Sequence, residues 1–176
     1  MVYDCRDNIV IRDMTYSDAR IITDEEVAQG WNQTIDKYEM RLQHQNEGKA
    51  TALVAEYNGA VAGYVNIYPD SQRGAFGGRG YPEIVDLGVL EKYRRHGIGT
   101  RLMDAAEQVA ARYSDTVYLG VGLHSGYGSA QRMYVRRGYV PDGTGVWYKD
   151  QVCPPYDPSC ENDDDLVLYL SRKLHN

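Results

Sequence analysis

The sequence predicts a mixed α/β fold, a sheet of strands with helices on its faces. Three observations predict it. Short stretches alternate apolar and polar residues, Asn58-Gly59 sits between two such stretches, and segments with helical periodicity interrupt the strands. At 176 residues and 43% hydrophobic content, the chain is long enough for one proper core. No Pro/Ser/Gly-rich linker divides it, so residues 1–176 are expected to form one domain.

Taken in order, "IVIRDMT" (9–15) alternates and reads as the first strand. Residues 25–46 carry Val27, Trp31, Ile35, Tyr38 and Leu42 at spacings of four and three, one face of an amphipathic helix, with Gly48 suited to its C-terminal end. "TALVAEYNGAVAGYVNIY" (51–68) reads as a hairpin, because Asn58 and Gly59 both tolerate positive φ. "SQRGAFGGRGYP" is a loop too rich in glycine to pack on its own, and "EIVDLGVL" (83–90) is the next strand. Leu102, Ala106, Val109, Ala110 and Tyr113 mark a helix over 98–113, followed by the strand "TVYLGVGL" (116–123). A short helix over 129–137 stops at Gly138, and "GVWYKD" and "DLVLYLS" supply the last strands. The order is β-α-β-β-β-α-β-α-β-β.

The formal charge of -6 argues against nucleic acid as a partner, since neutralising phosphates needs a basic face. It fits a cationic substrate slightly better than an anionic one. The N-terminus lacks a signal-peptide pattern, and no run approaches the roughly 18 apolar residues of a membrane helix. Neither secretion nor membrane insertion is expected. Cys5, Cys153 and Cys160 make an odd number, which suggests a reducing, cytoplasmic setting with free thiols. Cys153 and Cys160 can pair or hold a metal, but no second ligand pair stands nearby, and no metal site is expected.

The stretch with chemical content is "YRRHGIGTRL" (93–102), a turn between a strand ending at Leu90 and a helix. Glycines let the backbone approach a ligand, and the first-turn N–H groups of the helix lack intrahelical acceptors, so an anion can occupy them. A dinucleotide loop requires a third glycine where Leu102 stands, and a nucleoside-triphosphate loop requires Gly-Lys-Ser/Thr; neither is present.

"LGVLEKYRRHGIG" resembles the acetyl-CoA loop of the GNAT acyltransferase superfamily, [R/Q]-x-x-G-x-[G/A] after a strand, with Arg94, Gly97 and Gly99 in the matching positions. "SAQRMYVRRGYVP" (129–141) resembles that family's second signature through Ala130, Tyr134, Gly138 and Tyr139. The resemblance covers nearly the whole chain. It implies an acyl-CoA N-acyltransferase fold, a mostly antiparallel sheet of about six to seven strands with a splayed parallel pair, here 84–90 and 116–122. It further implies acetyl-CoA as cosubstrate and direct attack by an amine in a ternary complex. Leu87, Gly88 and Val89 would bond the pantetheine arm, and Arg94, Arg95, His96, Gly97, Ile98, Gly99 and Thr100 would seat the pyrophosphate. Val89 N–H would donate to the thioester carbonyl, and Tyr134 would protonate the leaving thiolate.

For the base, Glu83 stands six residues before Val89 and is followed by Ile84, an arrangement some members of that family use; His124 and a water relay are the alternatives. Asp86 is expected on the opposite face from Glu83 by strand alternation. Where the family often has asparagine, three residues before the alanine of the second signature, this chain has Tyr127, with Ser129 as a substitute contact. The acidic stretch 150–165, with Glu161 and Asp163 to Asp165, reads as a solvated excursion or as a wall attracting a cationic amine. The expected acceptor is a small-molecule primary amine. The alternatives are a protein or peptide amine, or a non-catalytic acyl-CoA-binding module; a homodimer through the hairpin or C-terminal strands is open.

Overall fold

Asp7 and Asn8, both at positive φ, turn the first strand β1 (Val2–Arg6) back onto β2 (Ile9–Asp13). Short polar residues tolerate this left-handed backbone. The computed structural model describes residues 1–174. These fall into two units, one of Met1–Tyr68 with Ile84–Val109, the other of Pro69–Glu83 with the chain from Ala110 onward.

In the first unit, β2 continues into β3 (Thr51–Tyr57), β4 (Ala60–Tyr68) and β5 (Glu83–Val89), each beside the last. The hairpin turns at Asn58 and Gly59, with φ 51° and 80°. The expected single helix over 25–46 is two helices, α1 (Tyr16–Ala28) and α2 (Asp36–Asn46). Gly30, at φ 90°, takes the chain out of the helical conformation, and residues 31–34 are irregular. Val27 is therefore exposed, while Tyr38 and Leu42 join the core with Met14, Ala19, Ile22, Ala52, Val54 and Tyr64. Gly63 points the other way, toward Leu102 and Ile98 of α3 (Ile98–Ala110).

The second unit has strand order β6-β9-β7-β8, all antiparallel: β6 (Thr116–Gly122), β9 (Leu166–Lys173), β7 (Val140–Tyr148) and β8 (Gln151–Val152). The helix α4 (Gly128–Arg136) lies between β6 and β7 in sequence. The glycine-rich loop does pack. Phe76 is buried with Tyr118 and Tyr169, and a Cβ on Gly74 would stand 2.1 Å from the Tyr169 ring. Glycine there admits the ring.

Nine strands are present among the described residues, against six to seven expected; β1 and β8 are short elements the alternation did not mark. The architecture is mixed α/β with antiparallel pairing inside each unit. The two strands expected to form the splayed pair, β5 and β6, belong to different units. Among the described residues no helix is long and apolar enough to cross a membrane.

Candidate active site

The turn before α3 is built as its glycines predict. Gly97 has φ 79°, a conformation that side chains strain against, and a Cβ there would meet nothing within 4 Å. Arg95 also sits at positive φ, 66°. Arg94, Arg95, His96 and Thr100 are exposed, whereas Ile98 is buried and anchors the first turn of the helix. His96 Nδ1–H donates to the Tyr93 carbonyl at 3.2 Å, and its ring lies 4.7 Å from that of Tyr57. Arg94 pairs only loosely with Glu91, at 3.6 Å. Rim cations, a glycine turn and first-turn N–H groups together suit a diphosphate.

β5 departs from simple alternation. Asp86 has φ 54° in mid-strand, a left-handed residue that interrupts the period of two, so counting residues from Glu83 does not by itself set its face. Its Oδ2 accepts both Nε (3.0 Å) and Nη2 (2.6 Å) of Arg41, a buried guanidinium on α2. Arg41 Nη1 also donates to the Tyr68 hydroxyl (2.6 Å), which lies 2.8 Å from His44 Nδ1. Leu87, Gly88 and Val89 follow, all half-buried. A Cβ on Gly88 would stand 2.6 Å from the Tyr64 ring, and one on Gly63 would stand 2.7 Å from the Gly88 carbonyl. Tyr64 in turn donates to Glu26 Oε1 at 2.5 Å, and Tyr38 donates to Oε2. Glu26 and Arg41 are the polar residues that sequence reading missed. Each stands beside or within the apolar stripe of a helix, and that is the one signal they left.

Glu83, at the start of β5, is buried and accepts from Ser71 Oγ at 2.5 Å. Its charge is felt by Tyr118 and Tyr169; burial, then the Glu83 charge, pushes the Tyr169 hydroxyl up to about 12. Tyr118 is raised for the same reasons in the same order. Tyr134, on α4, is buried with its ring 5.8 Å from Tyr139. Burial alone pushes its pKa up, so the phenol holds its proton throughout the neutral range. Ser129 is exposed in the first turn of α4.

His124, the alternative base, has both ring nitrogens engaged. Gly126 N–H donates to Nδ1 (3.1 Å), which puts the proton on Nε2, facing Asp164 at 2.8 Å. Tyr127 donates to the same Asp164 oxygen, and its ring occupies the space a Cβ on Gly122 would need. The acidic stretch is thus partly used in holding the fold, with Asp163 accepting from Tyr148 and Asp150 accepting from Gly74 N–H. The expectation of free thiols fails for two of three cysteines: Cys153 and Cys160 are disulfide-bonded, closing that loop, and Cys5 is free.

Residues 16–139 match the model of the Acetyltransferase (GNAT) family, a span that takes in the glycine turn, Glu83 and Tyr134. An N-alpha-acetyltransferase of Sulfurisphaera tokodaii is 32% identical over 110 residues, 58% of this chain. The alignment spans 64% of that relative's length. The fold is similar to that of Ard1 from Thermoplasma volcanium, at TM-score 0.68 and 19% identity over 96% of this chain and 99% of that one. It is also similar to yncA from Salmonella typhimurium, solved with its cofactor acetyl-CoA, at TM-score 0.67 and 19% identity over 97% and 96%. These likenesses show the acyl-CoA N-acyltransferase fold.

Proposed function

The chain belongs to the GNAT acetyltransferase family, and from that premise we propose that residues 1–176 act as one acetyl-CoA-dependent N-acetyltransferase domain whose acceptor is a primary amine. The observation that carries this is the family match over 16–139, because it includes both the anion turn and Tyr134. Acetyl-CoA supplies an activated acetyl group, which passes to the amine nitrogen as the thiol departs. The turn from Arg94 to Thr100 holds the pyrophosphate on backbone N–H groups, with the arginines at its rim. Leu87, Gly88 and Val89 offer backbone groups to the pantetheine arm, Val89 N–H holds the thioester carbonyl oxygen, and Ser129 adds a contact from α4. Glu83 takes the proton that the attacking amine must lose, directly or through water. Tyr134, kept protonated by burial, gives a proton to the departing sulfur.

For the acceptor, the acidic balance fits a cationic amine, and the first reading is a small-molecule amine. A second reading, the α-amine of a polypeptide, is favoured by the N-alpha-acetyltransferase relative. A thiol-release assay over polyamines, amino acid amides and short peptides separates them. Tyr134→Phe in the same assay is expected to lower kcat by about 10²-fold, at the lower end of general-acid contributions, with acetyl-CoA affinity nearly unchanged. An unaltered kcat removes the acid role.

A further inference from the structure

Two polar groups on neighbouring strands of the first unit have hydrogen-bonding capacity that no protein group among the described residues uses. Asn66, on β4, is 1% exposed, and among the described residues neither its Oδ1 nor its Nδ2 has a partner. Its neighbours on the same face of the strand are Tyr64 and Tyr68. Both are satisfied, Tyr64 by Glu26 and Tyr68 by Arg41 and His44. Leaving a buried amide unpaired between two completed networks is costly, and such groups persist where a ligand or an ordered water completes them.

The second group is Asp86 Oδ1. An arginine fork usually engages both oxygens of a carboxylate. Here Nε and Nη2 of Arg41 converge on Oδ2, and Oδ1 has no partner among the described residues. The Asp86 side chain is 27% exposed. The left-handed backbone at Asp86 sets the direction in which this side chain leaves the strand. The two groups are also neighbours along the sheet. Leu90 N–H donates to the Ala62 carbonyl, and Gly88 packs on Tyr64. Continued along the two strands, this antiparallel pairing brings Asn66 toward Asp86.

We propose that Asp86 and Asn66 form the subsite that receives the acceptor's amino group. The ammonium donates to Asp86 Oδ1 and Asn66 Oδ1, and Asn66 Nδ2 donates to a carbonyl or hydroxyl oxygen beside that amine. Arg41, Tyr68 and His44 are positioning residues that hold the carboxylate from behind. The preferred acceptor is therefore a primary amine with an adjacent oxygen, such as an amino acid amide or a peptide N-terminus, over a plain alkylamine. This rests on the acetyltransferase reading above. It adds a specificity determinant on β5, three residues before Val89.

The test uses the full chain with acetyl-CoA and three amines: serinamide, a short serine-initiated peptide amide, and propylamine. Asn66→Leu is expected to raise KM for serinamide and the peptide by about tenfold, the loss of roughly one hydrogen bond. KM for acetyl-CoA should stay within about twofold of wild type, and the preference over propylamine should shrink. The same variant should melt at or above the wild-type temperature, because it removes an orphaned buried amide. A structural asparagine would do the reverse. Asp86→Asn should raise KM for all three amines, with Asp86→Glu recovering part of the loss. If Asp86→Asn does not fold, because Arg41 loses its counter-charge, Asn66→Leu decides alone. Unmoved acceptor KM in folded Asn66→Leu, as expected if only a buried water fills the amide's bonds, overturns the subsite. Wild type that releases no thiol with any of the amines overturns the acetyltransferase reading and the subsite with it.

Discussion

Asp18 shows how one residue can serve several needs at once. It stands in the first turn of α1, nearly fully buried, and accepts from Thr15 N–H at 2.8 Å and from Arg12 at 2.7 and 2.8 Å. Burial pushes its carboxyl up, but the bonds from Arg12 and Thr15 outweigh that and hold it below the usual carboxylate range. A depressed folded value contributes stability above the unfolded value, near 3.9, and that contribution is lost as pH falls through the folded value. Asp18→Asn is therefore expected to cost about 1–3 kcal/mol at pH 7. The gap from wild type should close below about pH 4. Urea melts of both proteins at the two pH values measure it; a gap that persists in acid removes the linkage. Glu26 makes the same point without solvent, since its two oxygens are taken by Tyr38 and Tyr64. An abundance of tyrosine was visible in the sequence, but not that three of them, Tyr38, Tyr64 and Tyr68, complete buried charges.

At the scale of elements, two glycines leave no room for side chains where β4 meets β5. Gly63 faces the Gly88 carbonyl, and Gly88 faces the Tyr64 ring. Gly88→Ala places a methyl 2.6 Å from that ring, and the ring cannot retreat without disturbing its bond to Glu26. The expected loss is about 1–3 kcal/mol, typical of overpacking, with a higher KM for acetyl-CoA because the backbone offered to the arm shifts. Thermal melts and acetyl-CoA titration check both; a variant as stable as wild type would show that Tyr64 has room. The glycine turn before α3 was legible from sequence because its backbone demands are local. The break between α1 and α2 was less so, since Val27, Trp31 and Ile35 continue the apolar period across Gly30. Periodicity reports which residues are apolar, not whether the backbone stays helical between them.

For the molecule as a whole, acetyl-CoA binding to the folded state alone must raise its stability by mass action. At a hundredfold excess over Kd the gain is about 2.7 kcal/mol, which for a chain of this size is a melting shift of roughly 5–11 °C. A thermal scan with acetyl-CoA, against NAD and ATP at equal concentration, tests the exclusion of the two other nucleotide loops. An equal shift with ATP would reopen that exclusion. The family, the glycine turn before α3 and the order of the principal elements were readable because each depends on residue types at fixed local spacing.

What the sequence determined by itself is what short-range physics encodes: where glycine allows positive φ, and where alternation or a helical period buries one face. What only the tertiary structure decided is which polar residues meet. Arg41 and Asp86 are 45 residues apart, and Tyr38 and Glu26 are 12 apart on different helices. The pairing of Cys153 with Cys160 and the anchoring of Asp164 by His124 and Tyr127 are of the same kind. Such contacts are set by packing across elements, and a left-handed residue in mid-strand, Asp86, interrupts the alternation that counting by twos assumes.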